Sequence, residues 1–166
     1  PEVKHHYEFN SDGVILNERS PINPKSIYAV SKVATDFLTR NYWDAYGVPG
    51  VVTRMFNNYG PRQSPRFVTG TIITQALSRD VIELGYLDAK RDFCFCEDGV
   101  MGHISVALAG QPGEAYVYGQ GQNISIRGWY ELILAIGEKA GFWKANKQLA
   151  TRRERGRLGT TEVEEL

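Results

Sequence analysis

The chain has 166 residues, about one ordinary domain, and its 19 Lys and Arg cancel its 19 Asp and Glu. That balance excludes an acidic tail and the polycationic surface that would announce nucleic acid or an anionic membrane. Hydrophobic residues at 42%, with nine Tyr, seven Phe and three Trp, supply a core and exclude intrinsic disorder, while no apolar run approaches the roughly 18 residues of a membrane span.

Residues 1–26 read as loop. Asn10-Ser11-Asp12-Gly13 is a turn cluster, and Ser20-Pro21 and Asn23-Pro24 punctuate the approach to a strong helix. From Ser26 or Ile27 to about Ala45, apolar residues at Val30, Val33, Ala34, Phe37, Leu38 and Tyr42 predict that this helix is amphipathic, with Ser26 as N-cap and Gly47 as stop. Val51 to Phe56 reads as a strand ending in the turn-rich Asn57-Asn58-Tyr59-Gly60-Pro61. A second helix is expected from about Phe67 to Leu77. Short strands come next at Val81–Tyr86 and Asp92–Cys96, then a helix capped by Asp98 and running to about Leu108. Glu114–Tyr118 is a further strand, Ile124 to Ile126 extended chain, and Trp129–Ala140 a closing helix. This alternation predicts an α/β fold. After Trp143 the composition turns polar, so residues 144–166 read as a connecting segment or tail.

Tyr28-Ala29-Val30-Ser31-Lys32 puts a phenol and an ammonium one turn apart on one helix face, with Thr35 and Thr39 on the same side. A nearby ammonium favours the phenolate and suits a Tyr to acid/base work; the plain alternative is a solvated face. Arg54 to Gln63 ends the next strand in a polar, Gly-Pro-terminated turn, where α/β sheets gather ligands, or is a simple loop. Arg91, in Lys90-Arg91-Asp92-Phe93, either binds a phosphate bidentately or pairs with Asp92 or Glu97. Cys94 and Cys96 stand two apart, too close for a disulfide framework, and point to a reducing, cytoplasmic compartment. With His5, His6 and His103 they make no convincing zinc site, because CxC on a strand puts both thiols on one face without a second ligand pair. No metal is expected. The run Arg152 to Arg157 reads as a solvated connector and not as a nucleic-acid contact.

Taken jointly, Tyr28-x-x-x-Lys32, Arg54-x-x-Asn57-Asn58-Tyr59-Gly60-Pro61-x-Gln63, Arg91-Asp92-Phe93 with Glu97-Asp98, and Gly113-Glu114-x-Tyr116 with Gly119 resemble the extended short-chain dehydrogenase/reductases, specifically the NAD-dependent epimerases and dehydratases of nucleotide sugars. The resemblance covers roughly residues 1–163. Within it, Arg62-Gln63-Ser64 and Thr71 to Leu77 look most like a 4,6-dehydratase of UDP-N-acetylglucosamine-type substrates. It implies a partial Rossmann-type fold: residues 1–60 as a remnant of the dinucleotide-binding domain with the catalytic helix, 61–143 as the sugar-nucleotide-binding portion, and 144–166 as the connector. It implies that Tyr28 exchanges the C4 hydroxyl proton while hydride moves to or from the nicotinamide, and that Lys32 holds the nicotinamide ribose and lowers the phenol's pKa. Asn57 would touch the sugar nucleotide, Asn58 the cofactor side, and Arg91 and Arg157 the diphosphate of a UDP- or dTDP-linked sugar. Glu2, in Glu2-Val3, would be the base of the dehydration step, although Pro1 stands where the family has Ser or Thr.

The family's GxGxxG turn for NAD is missing. Gly119-Gln120-Gly121-Gln122-Asn123-Ile124 holds two of its glycines but lies late, with Ile in the third place. The chain also begins with Pro and not Met, and reads as a piece of something longer. The expectation is therefore a portion of a nucleotide-sugar dehydratase or epimerase, inactive and unable to hold NAD by itself, which forms a homo-oligomer or pairs with a chain supplying the missing half. The alternative is a non-catalytic, truncated or rearranged module that keeps the fold remnant and a nucleotide site.

Overall fold

In a computed structural model of the protein, residues 16–151 are described. Glu2, Arg157, His5 and His6 lie outside them. Along the chain run α1 (Ile27–Tyr46), β1 (Val52–Met55), β2 (Asn57–Tyr59), α2 (Val68–Ser78), β3 (Val81–Leu84), β4 (Lys90–Arg91), β5 (Phe93–Phe95), α3 (Cys96–Ala109), β6 (Ala115–Tyr118), β7 (Ile124–Ser125), α4 (Ile126–Lys139) and β8 (Gln148–Thr151). Contacts divide them into two units, Pro1–Asn58 with Asp92–Asn123, and Tyr59–Arg91 with Ile124–Leu166.

In the first unit α1 starts and stops where its punctuation dictates. The Ser26 hydroxyl accepts from the Ala29 N–H at 3.0 Å, and Gly47, at φ 67°, closes the last turn with its N–H on Trp43 O. The helix leads into β1, which pairs in parallel with β6 from Val52↔Ala115 to Met55↔Tyr118. Ala115 and Val117 alternate inward along β6, the period-2 pattern of a strand with one buried face. Glycines let α3 approach closely. A Cβ on Gly99 would meet Met55 Sδ and the Asn58 amide at 3.0–3.1 Å, and one on Gly102 would strike the Tyr118 ring at 2.5 Å.

The second unit is built on α2, α4 and the parallel pair β3–β8, with β4 and β7 antiparallel beside them. Ile72 and Ala76 of α2, Ile82 and Leu84 of β3, and Ile126 and Tyr130 of α4 are buried. A fully buried Ile such as Ile72 or Ile82 contributes about 1.5–3 kcal/mol relative to exposure. Gln75 ties α2 to the β3 backbone: its Nε2 donates to Glu83 O at 3.0 Å, and its Oε1 accepts from Glu83 N at 2.8 Å.

Several details differ from the expectation. Gln148–Thr151, inside the stretch that composition reads as a connector, is a strand, because its register with Val81–Leu84 gives its backbone a partner. The last helix begins at Ile126, where the Ser125 hydroxyl accepts from Gly128 N at 3.1 Å and so overrides the extended preference of Ile126, while Ile124 and Ser125 stay extended as β7. Cys96 opens α3 and does not extend the strand, so the two thiols do not share a strand face. Most consequential is α1. Its apolar stripe stays exposed (Val30 53%, Leu38 59%), and the one buried residue of the helix is Asp36 on the opposite, polar stripe. Among the described residues no helix is long and apolar enough to cross a membrane.

Candidate functional site

Two contacts fix how α1 lies on β1. Late in the helix, Thr39 packs on Gly50, where an added Cβ would come within 2.8 Å of Thr39 Cγ2. One turn earlier, Asp36 meets Arg54: Nε donates to Oδ2 at 2.6 Å and Nη2 to Oδ1 at 3.2 Å, while Nη1 donates to Glu18 O at 3.1 Å. Moving forward along the strand thus means moving back along the helix, so α1 runs antiparallel to β1. The first turns of α1, carrying Tyr28 and Lys32, lie toward the carboxyl end of β1, the end at which α/β sheets bind ligands.

Tyr28 is 70% exposed, and Lys32 Nζ stands 5.5 Å from the centroid of its ring, as the i, i+4 spacing dictates. Both line an open cleft of about 610 Å³ whose walls include Val33 and Asp36 of α1 and Val51 to Met55. His103 reaches the same cleft from α3. Its Nδ1 lies 2.7 Å from Gly99 O and 2.5 Å from the Tyr118 hydroxyl, which donates to Gly99 O at 3.0 Å. Burial pushes the Tyr118 phenol up to about 12.

The remaining candidates are distributed. Asn57 is exposed, with its N–H on Asp92 O at 3.1 Å, and the Asn58 amide rests over Gly99 of α3. Arg91 belongs to the second unit, half-buried on β4 opposite Ile124, with Nη1 donating to Lys90 O at 2.6 Å. Cys94 is buried in β5, and burial pushes its thiol up. No group of three or more His, Cys, Asp or Glu among the described residues is placed to hold a metal ion.

Two features escape a reading of the sequence alone. The Asp36–Arg54 pair had a signal, since Asp36 stands four residues beyond Lys32 on the same stripe. The second feature explains the late glycines. Asp92, 2% exposed, accepts from the N–H groups of Gln120 at 3.0 Å and Gly121 at 2.9 Å. A Cβ on Gly119 would sit 2.6 Å from Asp92 Oδ2, and Gly121 turns at φ 72°. These two glycines wrap a buried carboxylate and are no phosphate cradle.

The parallel β1–β6 pair, the helix returning to β1, and a Tyr-Lys pair at the carboxyl end of that strand define part of a Rossmann-type α/β protein of the extended short-chain dehydrogenase/reductase class. The family model for GDP-mannose 4,6 dehydratase matches residues 10–164, and the chain belongs to that family of nucleotide-sugar dehydratases. It is similar to dTDP-glucose 4,6-dehydratase of Escherichia coli, 32% identical over 121 residues that make up 71% of this chain and 33% of the relative. The crystal structure of dTDP-glucose 4,6-dehydratase from Bacillus anthracis str. Ames in complex with NAD superposes with a TM-score of 0.75 at 27% identity, covering 89% of this chain and 47% of that one. UDP-glucose 4-epimerase of Thermus thermophilus, in complex with NAD, gives a TM-score of 0.72 at 28% identity, over 89% and 48%. The chain thus spans about a third of the length of curated relatives such as the Escherichia coli enzyme.

Proposed function

We propose that this chain is the catalytic-helix and substrate-binding portion of a 4,6-dehydratase acting on a dTDP-linked hexose. The observation that carries the reading is the Tyr28–Lys32 pair at the carboxyl end of β1, in a cleft open to solvent. The dTDP-sugar preference rests on the relatives, whose names specify dTDP-glucose. Of the groups an NAD site needs, the chain has the phenol and ammonium that fit the nicotinamide ribose and lacks the Gly-rich turn that seats the pyrophosphate. Bound NAD supplies a hydride acceptor for the sugar C4 carbon.

Every other step belongs to the chain's own side chains. Tyr28, as the base, takes the C4 hydroxyl proton as that carbon becomes the ketone that the product keeps, the hydride returning to C6 once water has left, and Lys32 holds the nicotinamide ribose. Asn57 contacts the sugar nucleotide and Asn58 the cofactor side. Arg91 grips the diphosphate with two parallel N–H donors, helped by Arg157, while Glu2 removes the C5 proton and passes it to the C6 hydroxyl, which leaves as water. By itself the chain holds no NAD and turns over no sugar nucleotide. The outward stripe of α1, with Val30, Phe37 and Leu38, is the surface through which it forms a homo-oligomer.

Calorimetric titration with dTDP tests the reading. A bidentate guanidinium–phosphate contact is worth about 1.5–3 kcal/mol, so Arg91→Ala should weaken dTDP roughly tenfold or more. Equal affinity of the two proteins, or no binding by either, would contradict it.

A further inference from the structure

Where the described chain turns through positive φ it uses glycine, at Gly47, Gly113, Gly121 and Gly141, and Arg62 is the exception. At φ 67° the Cβ of an L-residue crowds the backbone carbonyl that follows it, a strain that glycine escapes. The cause is a tight turn. Gln63 N donates to Gly60 O at 3.2 Å and closes four residues with Pro61 and Arg62 at the corners. Proline presets the first corner at negative φ, and the second corner of such a type II turn requires positive φ and is ordinarily Gly or Asn.

The turn cannot relax, because the loop that follows it is fastened to α2. Phe67 N donates to Ser64 O at 3.1 Å, Arg66 N to Ser64 Oγ at 3.3 Å, and the Thr71 hydroxyl to Pro65 O at 2.7 Å. Gly70 lets the helix approach so closely that a Cβ there would come within 2.6 Å of Ser64 O and 3.1 Å of Pro65 Cα. Strain of this kind persists only where its surroundings over-determine it. All of these residues belong to the second unit, as Arg91 does.

The Arg62 side chain does no work inside the described chain that would explain its place. It is exposed, and the ion pairs among the described residues join Arg54 to Asp36 and Lys147 to Asp80. No Asp or Glu stands anywhere from Tyr59 to Arg79, while Arg62, Arg66 and Arg79 do. A rigid, strained backbone therefore holds a guanidinium out to solvent in a stretch of uniform positive charge. An arriving anion need not order that backbone, and the planar fork suits phosphate oxygens.

We propose that Arg62 is a phosphate-binding residue of the sugar-nucleotide site, and that the strained Gly60–Gln63 turn exists to present its guanidinium to the phosphate oxygens of the nucleotide. The inference rests on the dTDP-sugar reading and deepens it, adding a second guanidinium of the same unit to Arg91.

The test sets stability against binding in one position of the 166-residue chain. Arg62→Gly removes the strain together with the guanidinium, so its thermal midpoint should rise by about 2–4 °C while calorimetry shows dTDP bound about tenfold more weakly. Arg62→Ala keeps a Cβ in the left-handed turn and should bind as weakly without the rise in midpoint. Inorganic pyrophosphate is the second probe, and it should lose affinity in both variants. The proposal is overturned if Arg62→Gly binds dTDP or pyrophosphate as tightly as the parent. It is overturned equally if the midpoint of Arg62→Gly falls, which would give the side chain a structural task. A parent that binds pyrophosphate but not dTDP, with the pyrophosphate weakened by Arg62→Gly, counts against the proposed function and supports this assignment. A parent that binds neither overturns the assignment.

Discussion

Asp36 and Arg54 decide more about the site than the exposed pair they support. The carboxylate is nearly buried, the guanidinium about one-fifth exposed, and their two parallel hydrogen bonds hold α1 at one height on β1. Shifting the helix by a residue would move Tyr28 away from the carboxyl end of the strand. Asp36→Asn keeps the shape but leaves Arg54 with a neutral acceptor, and should cost about 1–3 kcal/mol in urea unfolding; an unchanged midpoint and slope would show that the pair is not what seats the helix. Tyr118 gives a pH test. Its folded pKa of about 12 lies above the ordinary 10.0 because burial disfavours the phenolate, so the unfolded chain releases the proton first. The associated stability is present below pH 10 and is lost as pH rises toward 12. Denaturant titrations from about pH 9 upward should show this decline for the parent and a shallower one for Tyr118→Phe; parallel curves would contradict the assignment.

At the scale of elements, what the sequence made legible was what local chemistry controls. Ser26 and Gly47 mark both ends of α1 because a hydroxyl acceptor and a left-handed turn are local needs. The Tyr28–Lys32 proximity follows from spacing alone. The buried face of α1 was not legible, because helical periodicity identifies an apolar stripe without saying which partners are present to cover it. In this chain the polar stripe meets β1 and the apolar stripe faces solvent. Nor was β8 legible: four residues rich in polar neighbours become a strand only through the register with β3, a long-range pairing that composition does not carry. Gln75 makes the same point inside the second unit, since its amide completes the β3 backbone from a helix. Gln75→Leu keeps the volume and strips Glu83 of both partners, which should cost about 1–3 kcal/mol in thermal or urea unfolding. A neutral outcome would mean that water replaces the amide without penalty.

For the whole molecule, the two units carry different parts of the proposed chemistry: Tyr28, Lys32, Asn57 and Asn58 in the first, Arg91 in the second. The glycines that most resembled a dinucleotide turn are used up around Asp92, and the pyrophosphate of NAD has no seat among the described residues. On the proposed function, the Tyr28–Lys32 end of α1 is a catalytic face completed by a dinucleotide-binding half. The most direct measurement is turnover of dTDP-glucose, read as loss of one water from the sugar nucleotide by mass spectrometry, in an assembly so completed, with Tyr28→Phe beside the parent. Removing a positioned general acid/base should lower turnover by about 10²–10⁴-fold while dTDP affinity stays the same. Tyr28→Phe turning over dTDP-glucose as fast as the parent would contradict the account.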